Sequence, residues 1–329
     1  MSELDRKSGL RVWVVRSLKA AAGVVAVLAV AGVVLWNWPT GFFAVSTWLA
    51  RTVSGTELRF VDVGGDYTPT LFARGDGDDP DAHTAVLLLH GWGTSKEAML
   101  TQLAWLGQTR MVFAPDLPGF GEHPLRTDQA ALTGDEYVAW IDKFIRAVGC
   151  ERVDLIGESM GGALAAAYAA EHPERVRRLV LEAPAGVRAP RQNEFMRRVE
   201  SGENPLRIAD EADFDRVVSL VFERPPPIPS PIRKYLVERA QRDLPRQGEM
   251  VDAMRGFLLA GNEVRLARIA APTLVMFGAN DRVTYPSMLD VYAAGIRDSR
   301  RVLVSGAGHV LFHDAPLAVA REIRALLDP

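Results

Sequence analysis

The distribution of apolar residues predicts an α/β protein over most of the chain. Eight short runs rich in Val, Leu and Phe have the length and composition of β-strands, and longer segments with apolar residues at helical spacing alternate with several of them. This alternation is typical of crossover units that build a mostly parallel sheet. The predicted strands begin near residues 57, 69, 84, 111, 153, 176, 272 and 301, and the clearest helical segments are 131–149, 160–172, 285–296 and 316–327.

One long interval lacks this alternation. From about 187 to 262 the chain has no convincing central strand, and it carries charged helical pieces and the proline-rich run RPPPIPSPI at 224–232. A connection of this length needs structure of its own, so we interpret 187–262 as a helical lid inserted above a core formed by 55–186 and 263–329. The prolines are interpreted as a stiff turn between lid helices, with a ligand for a proline-binding module as the alternative.

The N-terminal part contains an uncharged apolar run, AAAGVVAVLAVAGVVLW, at Ala20–Trp36. As a helix it would extend roughly 26 Å, close to a ~30 Å hydrocarbon core, and Trp38 lies where an interfacial anchor is expected. Basic residues outnumber acidic ones before it, so residues 1–54 are interpreted as a cytoplasmic tail, a single-pass membrane anchor and a linker, with the following domain extracytoplasmic. The alternatives are a buried core helix, or a signal peptide cleaved after AVA at 29–31 to give a secreted protein.

Composition excludes several classes of partner. The 329 residues carry a formal net charge of −3 and are 48% hydrophobic, as in an ordinary globular protein with a large core. The arginines are scattered, so no nucleic-acid partner is expected, and no protein partner is predicted. Cys150 is the only cysteine, which excludes an intrachain disulfide. We expect neither a cofactor nor a metal ion.

The segment DLIGESMGG at 154–162 predicts a nucleophilic serine at a sharp turn from strand to helix. In the pattern G-x-S-x-G the residues two positions from the serine must be small, because the chain nearly folds onto itself. Gly157 and Gly161 meet that demand around Ser159, and Gly162 allows the next helix to lie close to the sheet. Glu158 is interpreted as a structural or pocket-edge residue.

A nucleophilic serine needs a base, and the base needs an orienting acid. Asp281 in ANDRV and His309 in AGHVLFHD each follow a predicted strand, at the edge where ligands bind in open α/β sheets. His309 would take the proton of Ser159 and return it to the leaving group, while Asp281 would fix the imidazole tautomer and stabilise the imidazolium.

Each of these residues has a plainer alternative. Asp281 could cap a helix beginning near Pro286, and Glu182 at a strand end could serve as the acid instead. His309 and His313 are four residues apart and could suggest a metal pair, but no acidic helix pattern accompanies them. His313 is interpreted as a structural residue.

The segment LLLHGWGTS predicts a second element of the site. The turn at His90 and Gly91 would aim the backbone N–H of Trp92 at the point that the N–H of Met160 also faces, so the two would form an oxyanion hole. His90 is interpreted as a support of this loop rather than a reacting group.

The motifs HGWG, DLPGFG, GESMGG, GAND and GAGH occur in an order that resembles the α/β-hydrolase family from residue 55 to the end. The apolar N-terminal run, SMGG, APAG and the helical lid further resemble membrane-bound monoacylglycerol lipases of the α/β-hydrolase domain group and related bacterial lipases. The resemblance implies an eight-stranded, mostly parallel α/β-hydrolase sheet. It also implies a catalytic triad of Ser159, Asp281 and His309, with Trp92 and Met160 as oxyanion donors.

The function expected from the resemblance is hydrolysis of a carboxylic ester through an acyl-enzyme. The substrate would be a monoacylglycerol or a similar lipid ester, and the bilayer would be the other partner. Hydrolases of this fold that cleave carbon–carbon bonds share SMGG and a lid, and a non-catalytic ligand-binding protein on this fold is a second alternative. Dehalogenases and epoxide hydrolases use an aspartate nucleophile, which Ser159 excludes.

Overall fold

The fold is built on one eight-stranded, mostly parallel sheet. The computed structural model describes residues 29–75, 84–125 and 128–328. The sheet order is β1-β2-β4-β3-β5-β6-β7-β8, and only the β1–β2 and β2–β4 pairs are antiparallel. All eight predicted strands are present, which confirms the predicted sheet. The strands are β1 (Glu57–Asp62), β2 (Tyr67–Arg74), β3 (Thr84–Leu89), β4 (Met111–Pro115), β5 (Arg152–Glu158), β6 (Val176–Glu182), β7 (Thr273–Gly278) and β8 (Ser299–Val304).

Helices cover both faces of the sheet. The helices are α1 (Ala29–Trp36), α2 (Pro39–Val53), α3 (Leu100–Leu106), α4 (Gly134–Ala147), α5 (Met160–Glu171), α6 (Glu194–Glu200), α7 (Glu211–Val221), α8 (Ser230–Ala260), α9 (Met288–Gly295), α10 (Leu311–Asp314) and α11 (Pro316–Leu327). Right-handed crossovers place α3 on one face and α4, α5 and α9 on the other. Helix α11 returns to the face of α3, where the Arg324 guanidinium lies over the Trp105 ring at 5.6 Å.

The central strands are buried because they are covered on both faces. Every residue of β7 is buried, and Leu88 and Leu89 of β3 have no exposed surface. Helix α5 is buried along almost its whole length, and its many alanines allow close approach to β5 and β6. Because these strands are continuous apolar runs, they can be predicted from the sequence.

Helix α4 shows how local chemistry sets an element boundary. Thr133 accepts a hydrogen bond from the backbone N–H of Glu136, and Glu136 accepts one from the N–H of Thr133, which forms a capping box. The buried face of the helix includes Tyr137, Ile141 and Phe144. Capping and this face together hold the helix against the sheet.

The connection between β6 and β7 consists of helices. Residues 183–272 are all described, and they contain α6, α7 and α8 but no strand. Helix α8 has 31 residues and continues through Pro245. The proline-rich run precedes α8 and supplies Pro231 to its first turn, where a proline is well tolerated.

The N-terminal apolar run is only partly described. Residues 1–28, which include most of the predicted anchor, lie outside the described residues. Within the described part of the chain, no single helix is long and apolar enough to span a membrane. Helices α1 and α2 meet that test of length and composition only as a pair, and the pair is bent by 111°. Residues 39–53, which the sequence analysis places in a linker, form helix α2.

Candidate active site

Ser159 lies on a strained turn between β5 and α5. Its φ and ψ are 54° and −114°, a conformation that costs on the order of 1–3 kcal/mol and persists only where the surroundings enforce it. Its N–H donates to Glu182 O at 2.9 Å, and its carbonyl accepts from the N–H groups of Ala163 and Ala185. The turn is therefore clamped to the adjoining strand end and to the first turn of α5.

The glycines around Ser159 are required by close backbone contacts. A Cβ atom at Gly157 would overlap the carbonyl of Gly161, and one at Gly161 would overlap the carbonyl of Leu89 at the end of β3. A Cβ atom at Gly162 would lie 2.9 Å from Pro184 Cβ. The spacing demanded by the motif thus has a direct structural cause in this chain.

Asp281 and His309 come together at the carboxyl edge of the sheet. Asp281 follows β7, His309 follows β8, and Asp281 Oδ2 lies 2.9 Å from His309 Nδ1. The N–H of Val283 donates to the other carboxylate oxygen at 2.7 Å. Helix α9 begins at Met288 with Ser287 as its N-cap, so Asp281 does not cap that helix.

Thr284 is a residue of the site that the sequence analysis missed. Its Oγ1 lies 2.9 Å from Asp281 Oδ2, 3.2 Å from His309 Nδ1 and 2.9 Å from the carbonyl oxygen of Ala183. Ala183 itself has a positive φ of 45°, so a second strained residue borders the site. The signal in the sequence is the short spacing from Asp281 to Thr284, which suits a hydroxyl bonded to that carboxylate.

The electrostatic surroundings raise the pKa of His309 above its usual value. Burial opposes the charged imidazolium, but the charge and hydrogen bond of Asp281, together with the charge of Glu158, outweigh it. The side chains of His309 and Asp281 are 6% and 0% exposed, so water screens this pair little. The imidazole is therefore a stronger base than an exposed histidine.

Two further carboxyl groups lie beside Ser159. Glu158 and Glu182 are paired in register at the ends of β5 and β6. Burial raises the pKa of Glu158 to about 7. Burial and the charge of Glu158 raise the pKa of Glu182 to about 8, while a 2.8 Å hydrogen bond from Gln102 opposes that rise. Glu182 contacts Gln102 rather than the imidazole, whereas Asp281 is in contact with His309.

The turn containing His90 and Trp92 lies against Ser159. A Cβ atom at Gly91 would be 3.3 Å from Ser159 Cβ. His90 is fully buried, its Nε2 accepts from the N–H of Leu117 at 3.0 Å, and its Nδ1 lies 2.9 Å from Gly91 O. Burial lowers the pKa of His90, so the neutral ring acts as a support of this turn.

A cavity that is open to solvent lies beside Ser159. Its wall includes the nucleophile candidate, both predicted oxyanion residues and apolar side chains of α6 and α8. The lining residues are Trp92, Ser159, Met160, Ala185, Phe195, Met196, Val199, Glu203, Asn204, Pro205, Leu206, Val251, Arg255, Leu258, Leu259, Val283 and Thr284. Its mostly apolar wall suits a ligand with an apolar body.

The predicted donor groups are unpaired in the described structure. Among the described residues, no acceptor is paired with the backbone N–H of Trp92 or of Met160. The hydroxyl of Ser159 likewise has no hydrogen-bond partner there, and His309 Nε2 makes no hydrogen bond to it. The structure thus joins Asp281 to His309, while Ser159 stands at the same sheet edge without a bond to the imidazole.

The structure gives no support to the metal alternative. His313 is exposed and its Nε2 lies 3.3 Å from the carbonyl oxygen of Arg224. The described residues contain no group of three or more histidine, cysteine or acidic side chains arranged to hold a metal ion.

Comparison with known proteins identifies the family. A family model described as the alpha/beta hydrolase fold matches residues 84–316. The chain belongs to the α/β-hydrolase family. This confirms the resemblance drawn from the five motifs, and the observed strand order agrees with it.

Curated relatives of this α/β-hydrolase are lipases. Monoacylglycerol lipase ABHD6 of Homo sapiens is 26% identical over 302 residues, which cover 87% of this chain and 86% of the relative. Monoacylglycerol lipase abhd6-B of Xenopus laevis is 26% identical, with 86% of each chain covered. Lipase 3 of a Moraxella species is 26% identical over 74% of this chain and 77% of its own length.

Solved structures of α/β-hydrolases agree with these relatives. A membrane phospholipase A, described as a bacterial virulence factor, is 33% identical and covers 94% of this chain and 98% of its own, with a TM-score of 0.82. A putative lipase from Acinetobacter baumannii has a TM-score of 0.76 at 21% identity, covering 87% of this chain and 95% of its own. At that identity the likeness shows the fold alone.

Proposed function

We propose that this protein is a serine hydrolase that cleaves the acyl ester of a lipid through a covalent acyl-enzyme. Its broader class is carboxylic ester hydrolase, in line with its lipase and carboxylesterase relatives. The observation that carries the proposal is the buried Asp281–His309 pair at the sheet edge where Ser159 occupies a strained turn beside a cavity.

The chemistry follows from the positions of these groups. His309 Nε2 accepts the proton of Ser159 as Oγ attacks the ester carbonyl, and the Nδ1–H of His309 donates to Asp281, which remains ionised. The N–H groups of Trp92 and Met160 stabilise the oxyanion. His309 then protonates the departing alcohol. A water molecule, deprotonated by His309, hydrolyses the acyl-enzyme and regenerates Ser159.

In this proposal a hydrogen bond between Ser159 Oγ and His309 Nε2 forms when substrate binds. Catalytic hydrogen bonds are often long in ligand-free enzymes and tighten in the Michaelis complex. The oxyanion donors are free to act because they have no competing acceptor among the described residues.

The cavity favours an acyl chain as the bound group. Apolar side chains from α6 and α8, among them Phe195, Met196 and Leu258, would exclude water from the reacting ester. In this proposal α6, α7 and α8 form the lid, between core segments 55–186 and 263–329. A monoacylglycerol is the first candidate substrate, because the curated relatives include monoacylglycerol lipases.

A phospholipid is the second candidate substrate. The solved membrane phospholipase A shares 33% of residues over 94% of this chain. Arg255 adds a cation to the wall of the otherwise mostly apolar cavity, although Asp252 pairs with it at 2.5 Å. A cation at that position suits a substrate that carries a phosphate as well as an acyl chain.

The membrane is proposed as the second partner. The run Ala20–Trp36 is proposed as a single-pass anchor with the N-terminus cytoplasmic and the catalytic domain extracytoplasmic. Its uncharged composition and basic N-terminal flank support this topology. An anchored enzyme would hold its cavity near lipid esters, whereas signal cleavage would give a secreted one.

The test of the mechanism is a substitution of Ser159 in the full-length protein. Ser159→Ala should lower kcat for p-nitrophenyl esters by on the order of 10⁶ and abolish labelling by a fluorophosphonate probe. Ser219→Ala, at an exposed serine of α7, is the matched control and should keep both properties. Unchanged turnover of Ser159→Ala would refute the proposed nucleophile.

Substrate panels separate the remaining alternatives. Comparison of monoacylglycerols with phospholipids of the same acyl chain decides between the two lipid candidates. Turnover of a vinylogous diketone without ester hydrolysis would indicate a carbon–carbon bond hydrolase. Stoichiometric binding of an unchanged ester, without labelling of Ser159, would indicate a binding protein.

A further inference from the structure

Helix α2 carries an exposed apolar stripe. Val45, Trp48, Leu49 and Val53 are 45%, 63%, 52% and 80% exposed, and their spacing places them along one side of the helix. An exposed apolar stripe of this kind marks an interaction surface in a folded protein. The covering partner must itself be apolar, because the stripe presents no charged side chain.

The opposite side of α2 is fixed to the body of the protein. The Phe43 ring stacks on Tyr235 of α8 with 4.1 Å between centroids, and Arg51 forms an ion pair with Glu97. Arg51 is the only charged residue of α2, and it is thus turned away from the stripe. These two contacts determine which side of the helix faces outward.

Three of the four hydroxyl groups of α2 are satisfied within the helix. Ser46 donates to Phe42 O at 2.6 Å, Thr47 to Phe43 O at 2.9 Å and Thr52 to Trp48 O at 2.8 Å. Hydroxyls bonded to the preceding turn do not need water. The helix can therefore enter a partly apolar environment with these three hydroxyls still paired.

The bend between α1 and α2 would allow one helix to cross a bilayer while the other lies along its surface. The two helices are bent by 111°, so if α1 follows the bilayer normal, α2 lies about 20° from the bilayer plane. Trp36 and Trp38 lie at the bend, where interfacial tryptophans are expected, and Trp36 packs edge-on against Phe42 at 5.5 Å.

We propose that α2 is an interfacial helix whose stripe of Val45, Trp48, Leu49 and Val53 enters the headgroup–acyl boundary of a lipid bilayer. The inference extends the proposed membrane anchor, because α2 continues directly from it. A bilayer fits better than a second copy of the chain, since the stripe adjoins the apolar α1 and the tryptophan-rich bend. Helix α8, which α2 contacts through Tyr235, also supplies Val251 and Leu258 to the cavity wall.

Depth-dependent quenching tests this placement in the full-length chain. Cys150 is buried, and Cys150→Ala provides a background in which Leu49→Cys is labelled with a nitrobenzoxadiazole fluorophore. In phosphatidylcholine–phosphatidylglycerol vesicles, a nitroxide near the top of the lipid acyl chain should quench this label at least about twofold. Val264→Cys, at a position 85% exposed and distant in sequence from α2, is the matched control and should be quenched little.

The outcomes distinguish this proposal from that of the anchor. An unquenched label at residue 49, in protein that resists an alkaline carbonate wash, would overturn the interfacial helix and leave the anchor intact. A quenched label in protein that the wash releases would support the interfacial helix and refute the anchor. Disulfide linkage between two Leu49→Cys chains without lipid quenching would show a self-association surface and overturn the proposal.

A second pair of variants tests the consequence for activity. Trp48→Gln combined with Leu49→Gln should lower hydrolysis of vesicle-borne lipid at least about tenfold and leave hydrolysis of a soluble short-chain ester unchanged. Val264→Gln combined with Leu317→Gln removes exposed apolar groups elsewhere and should change neither rate. Equal vesicle rates for the two double variants would contradict the proposal.

Discussion

Glu158 is a second carboxyl group, after Asp281, whose charge modifies the base. It lies next to Ser159, and its ionised carboxylate contributes to the raised pKa of His309. Burial raises the pKa of Glu158 itself to about 7, and the charges of Glu158 and His309 each shift the pKa of the other. The two groups therefore titrate as a coupled pair beside the nucleophile.

Glu158→Gln should extend activity to lower pH. The base works only when neutral, so activity falls as pH drops through the raised pKa of His309. Removing a carboxylate that stabilises the imidazolium lowers that pKa, and the acid limb of kcat/KM should move to lower pH. Glu174→Gln, at an exposed glutamate, is the control and should not move the limb. An unshifted limb in Glu158→Gln would show that its charge does not reach His309.

At the scale of elements, the glycines fall into two groups. At some positions a Cβ atom would overlap neighbouring atoms, and at others there is space for it. Gly157 lies where β5 meets the first turn of α5, and a Cβ atom there would overlap backbone. Gly248 is exposed on α8, and a Cβ atom there meets no atom within 4 Å. The same substitution should therefore have opposite effects at the two positions.

Gly157→Ala should destabilise the protein by about 1–3 kcal/mol, because strand and helix must separate to admit the methyl group. Gly248→Ala should stabilise it by about 0.5–1 kcal/mol, because alanine restricts the unfolded chain and favours the helix. Thermal unfolding of the full-length variants in detergent, followed by circular dichroism, measures both. Equal shifts of Tm would contradict the structural distinction between these positions.

The elements also show what the sequence could predict. The strands were predictable because each is a short apolar run, and α4, α5, α9 and α11 because their apolar residues recur at helical spacing. Helix α8 was not foreseen as one helix, since Pro245 and many charged residues obscure its pattern. The sequence analysis places α2 in a linker for two reasons. Pro39 is its first residue, and too few polar residues lie between its apolar ones to make an amphipathic pattern visible.

The candidate site was predictable to the same extent and for similar reasons. Ser159, Asp281 and His309 each follow a predicted strand, so topology alone brings them to one edge. In the structure Asp281 and His309 are in contact at that edge. Gln102 lies 80 residues before its partner Glu182, and no local pattern connects them.

At the scale of the molecule, one ionic network connects the N-terminal helix with the loops of the site. Arg51 of α2 pairs with Glu97, whose neighbour Lys96 has no exposed surface. The ammonium of Lys96 lies 2.9 Å from Asp116 Oδ2 and 2.7 Å from Glu122 Oε2. The network thus runs from the proposed membrane-facing helix to the loop that follows β4.

This loop also supports the turn that carries Trp92. The N–H of Leu117, next to Asp116, donates to His90, and the Phe120 ring packs edge-on against Trp92 at 5.3 Å. Asp116 additionally accepts hydrogen bonds from the N–H groups of Lys96 and Glu122, each at 2.8 Å. A loss of the ammonium would therefore disturb both the fold and the proposed oxyanion hole.

Lys96→Met should destabilise the full-length protein by about 3–5 kcal/mol, because it leaves the buried Asp116 carboxylate without its countercharge. Adding Asp116→Asn removes that charge and should recover part of the loss, which a double-mutant cycle on thermal unfolding would measure. Arg301→Met breaks the exposed pair with Asp290 and should have little effect, because water screens that pair. If Lys96→Met lowered stability as little as Arg301→Met, the buried ammonium would not be what holds the loop after β4 in place. Retained stability with reduced kcat would instead confine its role to positioning the oxyanion turn.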